Sequence, residues 1–306
     1  AGPVDLAPLC RRIPHADLPS TYSFPLVGQL AESLILRGYQ VSLFAESTQI
    51  ATGQRIVGDG VCVHICPLRP RRAVYDFFAK ERSSLSEAMK ESGCDLIHAH
   101  WTYEFAAAAL DSGLPCLITA HDSPLGILRY FVLTRYFSHL GAKAILGAVV
   151  IRRSHRLTTV SPYCRDDIRR FLRPRAPISV VPNGIHPAIL ELGRKRLDGP
   201  HPDGPPAIFA IMEGFQDRKN PKALLSAFGI LRASMRDAAL HLYGTGFEEN
   251  GPAASWARHH GLAAGVAFHG KQPHGDVMQL LATQAHLLIH PALEESFGMA
   301  PLEAMA

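Results

Sequence analysis

Apolar positions along this chain follow two alternating rhythms. Short apolar runs bounded by polar or turn residues cover residues 40–45, 61–66, 95–100, 116–121, 157–161 and 178–182, and they predict strands. Between them lie segments of helical period. In residues 24–37, for example, Phe24, Val27, Leu30, Leu34 and Ile35 fall on one face. The scheme repeats at 207–212, 240–244, 266–270 and 285–290, with an amphipathic helix expected over 222–233. Strands alternating with helices predict parallel sheets covered by helices on both faces. Residues 1–12 offer only Val4, Leu6 and Leu9 toward the strand that usually opens such a domain, so a strand there is weakly supported. The Gly/Pro-rich stretch 198–206 predicts a loop near a domain junction.

A chain of 306 residues suits two domains, expected at 1–186 and 187–306. Its 47% hydrophobic and 19% charged content is that of a globular protein. The longest apolar run, 144–151, is far short of the roughly 18–20 residues of a membrane span. Cys10, Cys62, Cys66, Cys94, Cys116 and Cys164 are scattered, several within strand-like runs, which predicts buried reduced thiols and a cytoplasmic setting. Cys62, His64 and Cys66 have no second ligand pair at zinc spacing, so no metal site is expected there.

Charge is unevenly spread. Residues 1–186 hold 21 Lys and Arg against 15 Asp and Glu, whereas 187–306 hold 10 against 12. Arginines cluster at 69–72, 152–156 and 165–175. That basic half suits either a solvated surface or contact with an anionic acceptor or membrane face. The clusters lack interleaved aromatics, so a nucleic-acid platform is not expected.

Candidate chemistry gathers at the expected carboxyl ends of strands, where open parallel sheets bind ligands. The 95–100 run ends in His98-Ala99-His100-Trp101, and 116–119 leads into His121-Asp122. The next two lead into Ser161-Pro162 and Pro182-Asn183-Gly184. Asp122 and Ser161 would each serve as helix N-caps, and Asn-Gly as a turn. In the second half Arg218 and Lys219 precede the 222–233 helix, a cationic pair suited to a diphosphate. Gly244 and Gly270 fall at the following strand ends, where they permit either a close ligand approach or a tight turn.

The last stretch, HPALEESFGMAPLEAMA, carries the most information. A strand stopping at His290-Pro291 is followed by Glu294 and Glu295, then Phe297-Gly298, with a helix expected from Gly298 or Met299 and Pro301 in its first turn. Glu295 and Glu303 only accept hydrogen bonds when ionised, so they suit sugar or ribose hydroxyls.

This segment resembles the E-x7-E signature of retaining GT-B glycosyltransferases of family 4, with Glu295 and Glu303 as the two acids. HAHW, TAHD, TTVSPYCRDDI and VVPNGI resemble stations of that family's N-terminal domain, in order. The resemblance implies two Rossmann-like domains with parallel sheets facing a central cleft, an acceptor side first and a nucleotide-sugar side second. The family continues past the E-x7-E helix, so the chain reads as a fragment with its second domain incomplete. By the same likeness His121 and Glu295 are catalytic candidates, while Ser20, Thr21, His100, Asp122 and Asn183 belong to the acceptor side or cleft. Donor contacts fall to Arg218, Lys219, Gly244, Gly270, Glu295, Phe297, Gly298, Met299 and Glu303. Two departures are visible: Gly214 stands where the family carries an arginine, and Ser20-Thr21-Tyr22-Ser23 where many members carry a Gly-Gly loop. Arg218 is the candidate replacement for that missing charge.

The activity implied is transfer of a sugar from a nucleotide-diphosphate sugar, with retention, to a glycan, lipid-linked or small-molecule acceptor. No metal and no cofactor beyond that co-substrate is expected, and a peripheral contact with an anionic membrane stays open. The alternatives are an epimerase or hydrolase of the same fold, or a non-catalytic nucleotide-sugar binder.

Overall fold

In a computed structural model of the chain, residues 1–6, 9–13, 18–21, 24–70, 73–134, 136–199 and 202–306 are described. The chain divides into two units, Ala1–Asn183 and Gly184–Ala306, where the sequence places the boundary after residue 186.

The first unit opens with α1 (Pro25–Ile35), whose N1 proline pre-sets helical φ while Val27, Ala31 and Ile35 recur on its buried face. Then come β1 (Val41–Ser47), β2 (Gln54–Val57), β3 (Val61–Pro67) and α2 (Ala79–Glu91). β1 pairs parallel to β3, and β2 pairs antiparallel to β3 at the edge. A second sheet has the order β4-β5-β6-β7, all parallel: β4 (Ile97–His100), β5 (Cys116–Ala120), β6 (Leu157–Thr159) and β7 (Ile178–Val180). Its crossovers are α3 (Glu104–Ser112) after β4, α4 (Pro124–Leu128) and α5 (Phe137–Arg153) after β5, and α6 (Pro162–Leu172) after β6. The run Phe105–Ala109 in α3 is wholly buried, its alanines letting neighbouring helices approach closely. In α6, Cys164, Ile168 and Leu172 form an i, i+4, i+8 stripe, and the arginines between them face solvent.

No strand forms in the described part of residues 1–13. The backbone there bridges the two sheets instead: Gly2 N–H donates to Phe44 O (3.3 Å), and His100 N–H donates to Ala1 O (2.8 Å). Val4, Leu6, Leu9 and Ile13, too sparse to signal a strand, pack with Leu43, Val63 and Ile65 in one core.

The second unit runs α7 (Pro187–Asp198), β8 (Ala207–Ile211), α8 (Pro221–Ser234), β9 (Ala239–Tyr243), α9 (Pro252–His259), β10 (Val266–Gly270), α10 (His274–Gln284), β11 (Leu287–Leu288) and α11 (Met299–Met305). Its sheet has the order β10-β9-β8-β11, all parallel. The loop of the Gly/Pro-rich stretch joins α7 to β8 inside this unit, one helix beyond the junction; Pro200 and His201 fall outside the described residues. Only two residues of the 285–290 run pair as strand, because the chain turns into the His290-Pro291 loop. Phe209, Leu225, Leu240 and Phe247 are fully buried around this sheet. No helix among the described residues is long and apolar enough to cross a membrane.

Candidate functional site

Each unit places polar side chains at the carboxyl ends of its parallel strands. In the first unit the period-2 alternation of β4 sends His98 and His100 to one face, their rings 4.2 Å apart. His98 Nε2 meets Thr119 Oγ1 at 2.8 Å, and Thr119 Oγ1 meets Thr158 Oγ1 at 2.7 Å, a polar chain across β4, β5 and β6. His100 Nδ1 and His121 Nε2 lie 2.9 Å apart and share one hydrogen. Burial pushes His98 and His121 down to about 4, with the neighbouring histidine charge adding to the shift at His121. Burial likewise holds His100 well below the usual histidine range. The three imidazoles are therefore neutral near pH 7 and form a hydrogen-bonding array without a fixed charge.

Trp101 sits at φ +63°, a left-handed conformation that costs a non-glycine residue about 1–2 kcal/mol. Its N–H donates to Thr119 O (2.9 Å), and its ring packs 4.3 Å from His121 and edge-on to Phe24 at 4.7 Å. Asp122 is not the helix cap that its position suggests. Ser123 caps α4, accepting from Gly126 N–H at 3.3 Å, which leaves Asp122 to accept from the Tyr103 hydroxyl at 3.0 Å. Ser161 does cap α6, as its position suggests.

Ser20, Thr21, His100, Trp101 and Asp122 line a cavity of about 660 Å³ within this unit, whereas His121 lies behind Trp101 and does not line it. The Thr21 hydroxyl is already committed to Val4 O (2.8 Å), and Ser20 O accepts from the Ser47 hydroxyl (2.7 Å). Tyr22 and Ser23 lie outside the described residues, as do Arg71 and Arg72. Asn183, half-buried, is the last residue of the unit.

The histidine array gives an acid-sensitivity that can be measured. A histidine titrating near 4 when folded and near 6.5 when unfolded binds more protons unfolded, so it lowers stability as pH falls from 6.5 toward 4. His121→Phe keeps an aromatic ring on Trp101 and removes that proton uptake. The urea midpoint of the variant is expected to gain on that of the wild type below pH 6.5. A midpoint difference independent of pH would assign the shift elsewhere.

In the second unit, the loop after β8 carries Gly214 and a single 3-10 turn, Asp217–Lys219, before α8 begins at Pro221. That turn faces the acidic loop before α11. Lys219 Nζ bonds Glu295 Oε2, and His290 Nε2 reaches the same oxygen at 3.2 Å. Arg218 Nη1 bonds Glu294 Oε2 at 3.1 Å, and Leu293 N–H donates to Arg218 O at 2.9 Å. Burial alone would raise the Glu295 carboxyl. The His290 hydrogen bond and the Lys219 ammonium outweigh burial and hold it at about 2, so it stays ionised. Arg218 is committed to a carboxylate, with its Nε buried and without a partner. Glu303 accepts from His274 Nε2 at 2.8 Å.

Gly298 (φ +86°) precedes α11, which starts at Met299 as its sequence suggests; Phe297 and Met299 are half-buried. Gly244 (φ +122°) and Gly270 (φ +65°) interlock strand ends, since Gly244 N–H donates to Gly270 O at 2.8 Å. A Cβ on Gly244 would overlap the Met212 carbonyl oxygen, so this glycine is required by close backbone packing. The partners Glu294, His290 and His274 carry no site role in the sequence reading. The first two sit in the HPALEES run, and His274 opens a helix without a local signal.

Comparison with known proteins adds the lineage. The profile described as Glycosyltransferase Family 4 matches residues 26–189, and that described as Glycosyl transferases group 1 matches 196–306. No curated protein matches the chain. Among solved structures, sucrose-phosphate synthase from Thermosynechococcus elongatus aligns with a TM-score of 0.73 at 19% identity, covering 95% of this chain and 76% of that one. WaaG, a glycosyltransferase involved in lipopolysaccharide biosynthesis, aligns at 0.66 and 18% identity, covering 94% and 77%. A UDP-forming trehalose-phosphate synthase from Burkholderia xenovorans aligns at 0.64 and 13%, covering 90% and 78%. At such identities the likeness is one of fold.

Proposed function

Since the chain belongs to glycosyltransferase family 4 and has the GT-B fold, we propose that it transfers a sugar from a nucleotide-diphosphate sugar to an acceptor, with retention and without a metal ion. The observation that carries this reading is the meeting of Lys219 and Glu295 across 76 residues of sequence. It joins the cationic turn after β8 to the first acid of the E-x7-E pair in one small site. An ionised Glu295 accepts from sugar hydroxyls, and Lys219 keeps donors beyond the one given to Glu295 for a diphosphate. Glycosyl transfer builds positive charge on the sugar ring and negative charge on the departing diphosphate. A lysine held at that place stabilises the second, where removal of a metal from the scheme leaves the charge to side chains. Arg218, tied to Glu294, acts in this reading through the loop it fastens, which brings Glu295 to Lys219. Glu303 would take the ribose hydroxyls with the oxygen that His274 does not use.

The first unit holds the acceptor in this reading. The neutral His100–His121 pair can pass or receive a hydrogen bond from an acceptor hydroxyl without adding charge. A glycan, a lipid-linked sugar or a small molecule all supply such a hydroxyl. Exposed Val132, Leu133, Tyr136 and Phe137, close in sequence to Arg129, support a peripheral contact with an anionic membrane from a cytoplasmic location.

A thermal-shift screen against nucleoside diphosphates and their sugars, with and without magnesium, tests the donor site. The expected result is a rise in unfolding temperature with one nucleotide family that is the same in both conditions. A shift that needs magnesium would overturn the metal-free scheme, and no shift with any nucleotide would overturn the donor assignment. Release of free sugar, or an isomerised donor, in the absence of acceptor would favour a hydrolase or epimerase.

A further inference from the structure

The cavity of the first unit has a wall that the proposed reaction does not use. Glu46, near the end of β1, is only 6% exposed, and its Oε1 has no hydrogen-bond partner. Glu104, the first residue of α3, also has a buried oxygen, Oε2, without a partner. Both residues line the cavity, together with Lys143 of α5. Opposite chemistry lines the same space: Leu68, Val74, Phe78, Phe105 and Leu140 form an apolar surface. Unsatisfied buried acceptors beside an apolar face are costly unless a ligand completes them.

We propose that this cavity binds an uncharged polyhydroxylated ring as acceptor, with Glu46 and Glu104 selecting it over a phosphorylated or amine-bearing one. The inference rests on the reading of the first unit as the acceptor side.

The charges on the wall favour a neutral guest. Arg69 also lines the cavity, but its guanidinium is taken by Glu81 (2.6 and 2.8 Å) and Asp76 (2.7 and 2.9 Å). Asp122 is occupied by the Tyr103 hydroxyl, and burial lowers His139 toward its neutral form. Lys143 stands 5.0 Å from the Tyr103 ring centre and 5.7 Å from that of Phe78. Its ammonium already shares the cavity wall with the two carboxyl groups, so an incoming ammonium gains little. An incoming phosphate would meet two carboxyl groups and, among the described residues, few uncommitted cations.

Protonation adds directionality. Burial, then the charges of Glu104 and Glu81, push Glu46 up to about 9 against the pull of Lys143. A protonated Glu46 beside the Glu104 carboxyl offers one donor and several acceptors. Sugar and cyclitol hydroxyls both donate and accept, and the C–H face of such a ring covers apolar side chains. A volume of about 660 Å³ is within the range of small-molecule sites.

The test measures binding to the protein by saturation-transfer NMR and titration. The uncharged probes are glucose, sucrose and myo-inositol; glucose 6-phosphate, sucrose 6-phosphate, myo-inositol 1-phosphate and glucosamine are their charged counterparts. At least one uncharged probe is expected to bind in the millimolar range, its charged counterpart roughly tenfold more weakly or worse. Glu104→Gln should weaken the uncharged probe roughly tenfold by replacing one acceptor oxygen with an amide donor. Glu46→Leu, which removes both donor and acceptor at similar volume, should weaken it roughly tenfold as well. Tighter binding of a charged counterpart, no binding by any uncharged probe, or indifference to Glu104→Gln would each overturn the proposal. The same samples are titrated with nucleoside diphosphates. Nucleotide binding without sugar binding removes this inference and leaves the transferase reading, while sugar binding that depends on Glu104 without nucleotide binding does the reverse.

Discussion

Replacing Lys219 by alanine is expected to lower turnover by roughly a hundredfold or more, the scale seen when one donor aimed at developing charge is removed. Affinity for the nucleotide diphosphate should fall less, roughly tenfold, as for one charge-assisted hydrogen bond. The asymmetry follows from where the charge appears: the diphosphate becomes more negative as the glycosidic bond breaks, so Lys219 contributes more in the transition state than in the ground state. The variant should still fold. Glu295 retains its hydrogen bond to His290 at 3.2 Å, so its carboxylate is not left without a partner. Initial rates and calorimetric titration of the same sample separate the two effects. Unchanged rate and affinity in a folded variant would remove Lys219 from the donor site.

Gly244→Ala should destabilise the second unit by about 3 kcal/mol. Two costs act together, because the backbone is at φ +122° and the new methyl would overlap the Met212 carbonyl oxygen. Relief would need movement of β8 against β9, whose ends are fastened by Met212 N–H to Tyr243 O (3.0 Å) and Gly214 N–H to Thr245 O (3.0 Å). The same chemical change at Gly141, within α5 and with open space around it, should stabilise by up to about 1 kcal/mol. Hydrogen exchange of β8 and β9 amides reads the first effect directly. Equal protection in Gly244→Ala and wild type would mean the strand ends are far more pliable than this packing implies.

The parallel sheets were legible because their strands are buried on both faces and therefore appear as continuous apolar runs, such as Ile208–Ile211. β2 was not, since Gln54, Arg55 and Val57 are exposed at an edge and show no apolar face, although Gly58-Asp59-Gly60 marks the turn into β3. The histidines of β4 could be placed together by alternation alone. Asp122 and Ser123 are both good caps, and only the register of α4 decides between them. The cavity wall was hidden for a different reason: Glu46, Glu104 and Lys143 come from β1, α3 and α5, and no local pattern links them. The same holds for Arg218 with Glu294, although an acidic pair facing a basic pair across two loops can be recognised afterwards as complementary.

The placement of Trp101 between Phe24 and His121, on the wall of the cavity, makes the protein its own optical probe. The chain has two tryptophans, and the other, Trp256, belongs to the second unit, where its ring stacks 4.1 Å from His260. Trp256→Phe therefore leaves an emitter confined to the first unit, and ligand arrival there can be followed by intrinsic fluorescence without a dye or a coupled assay.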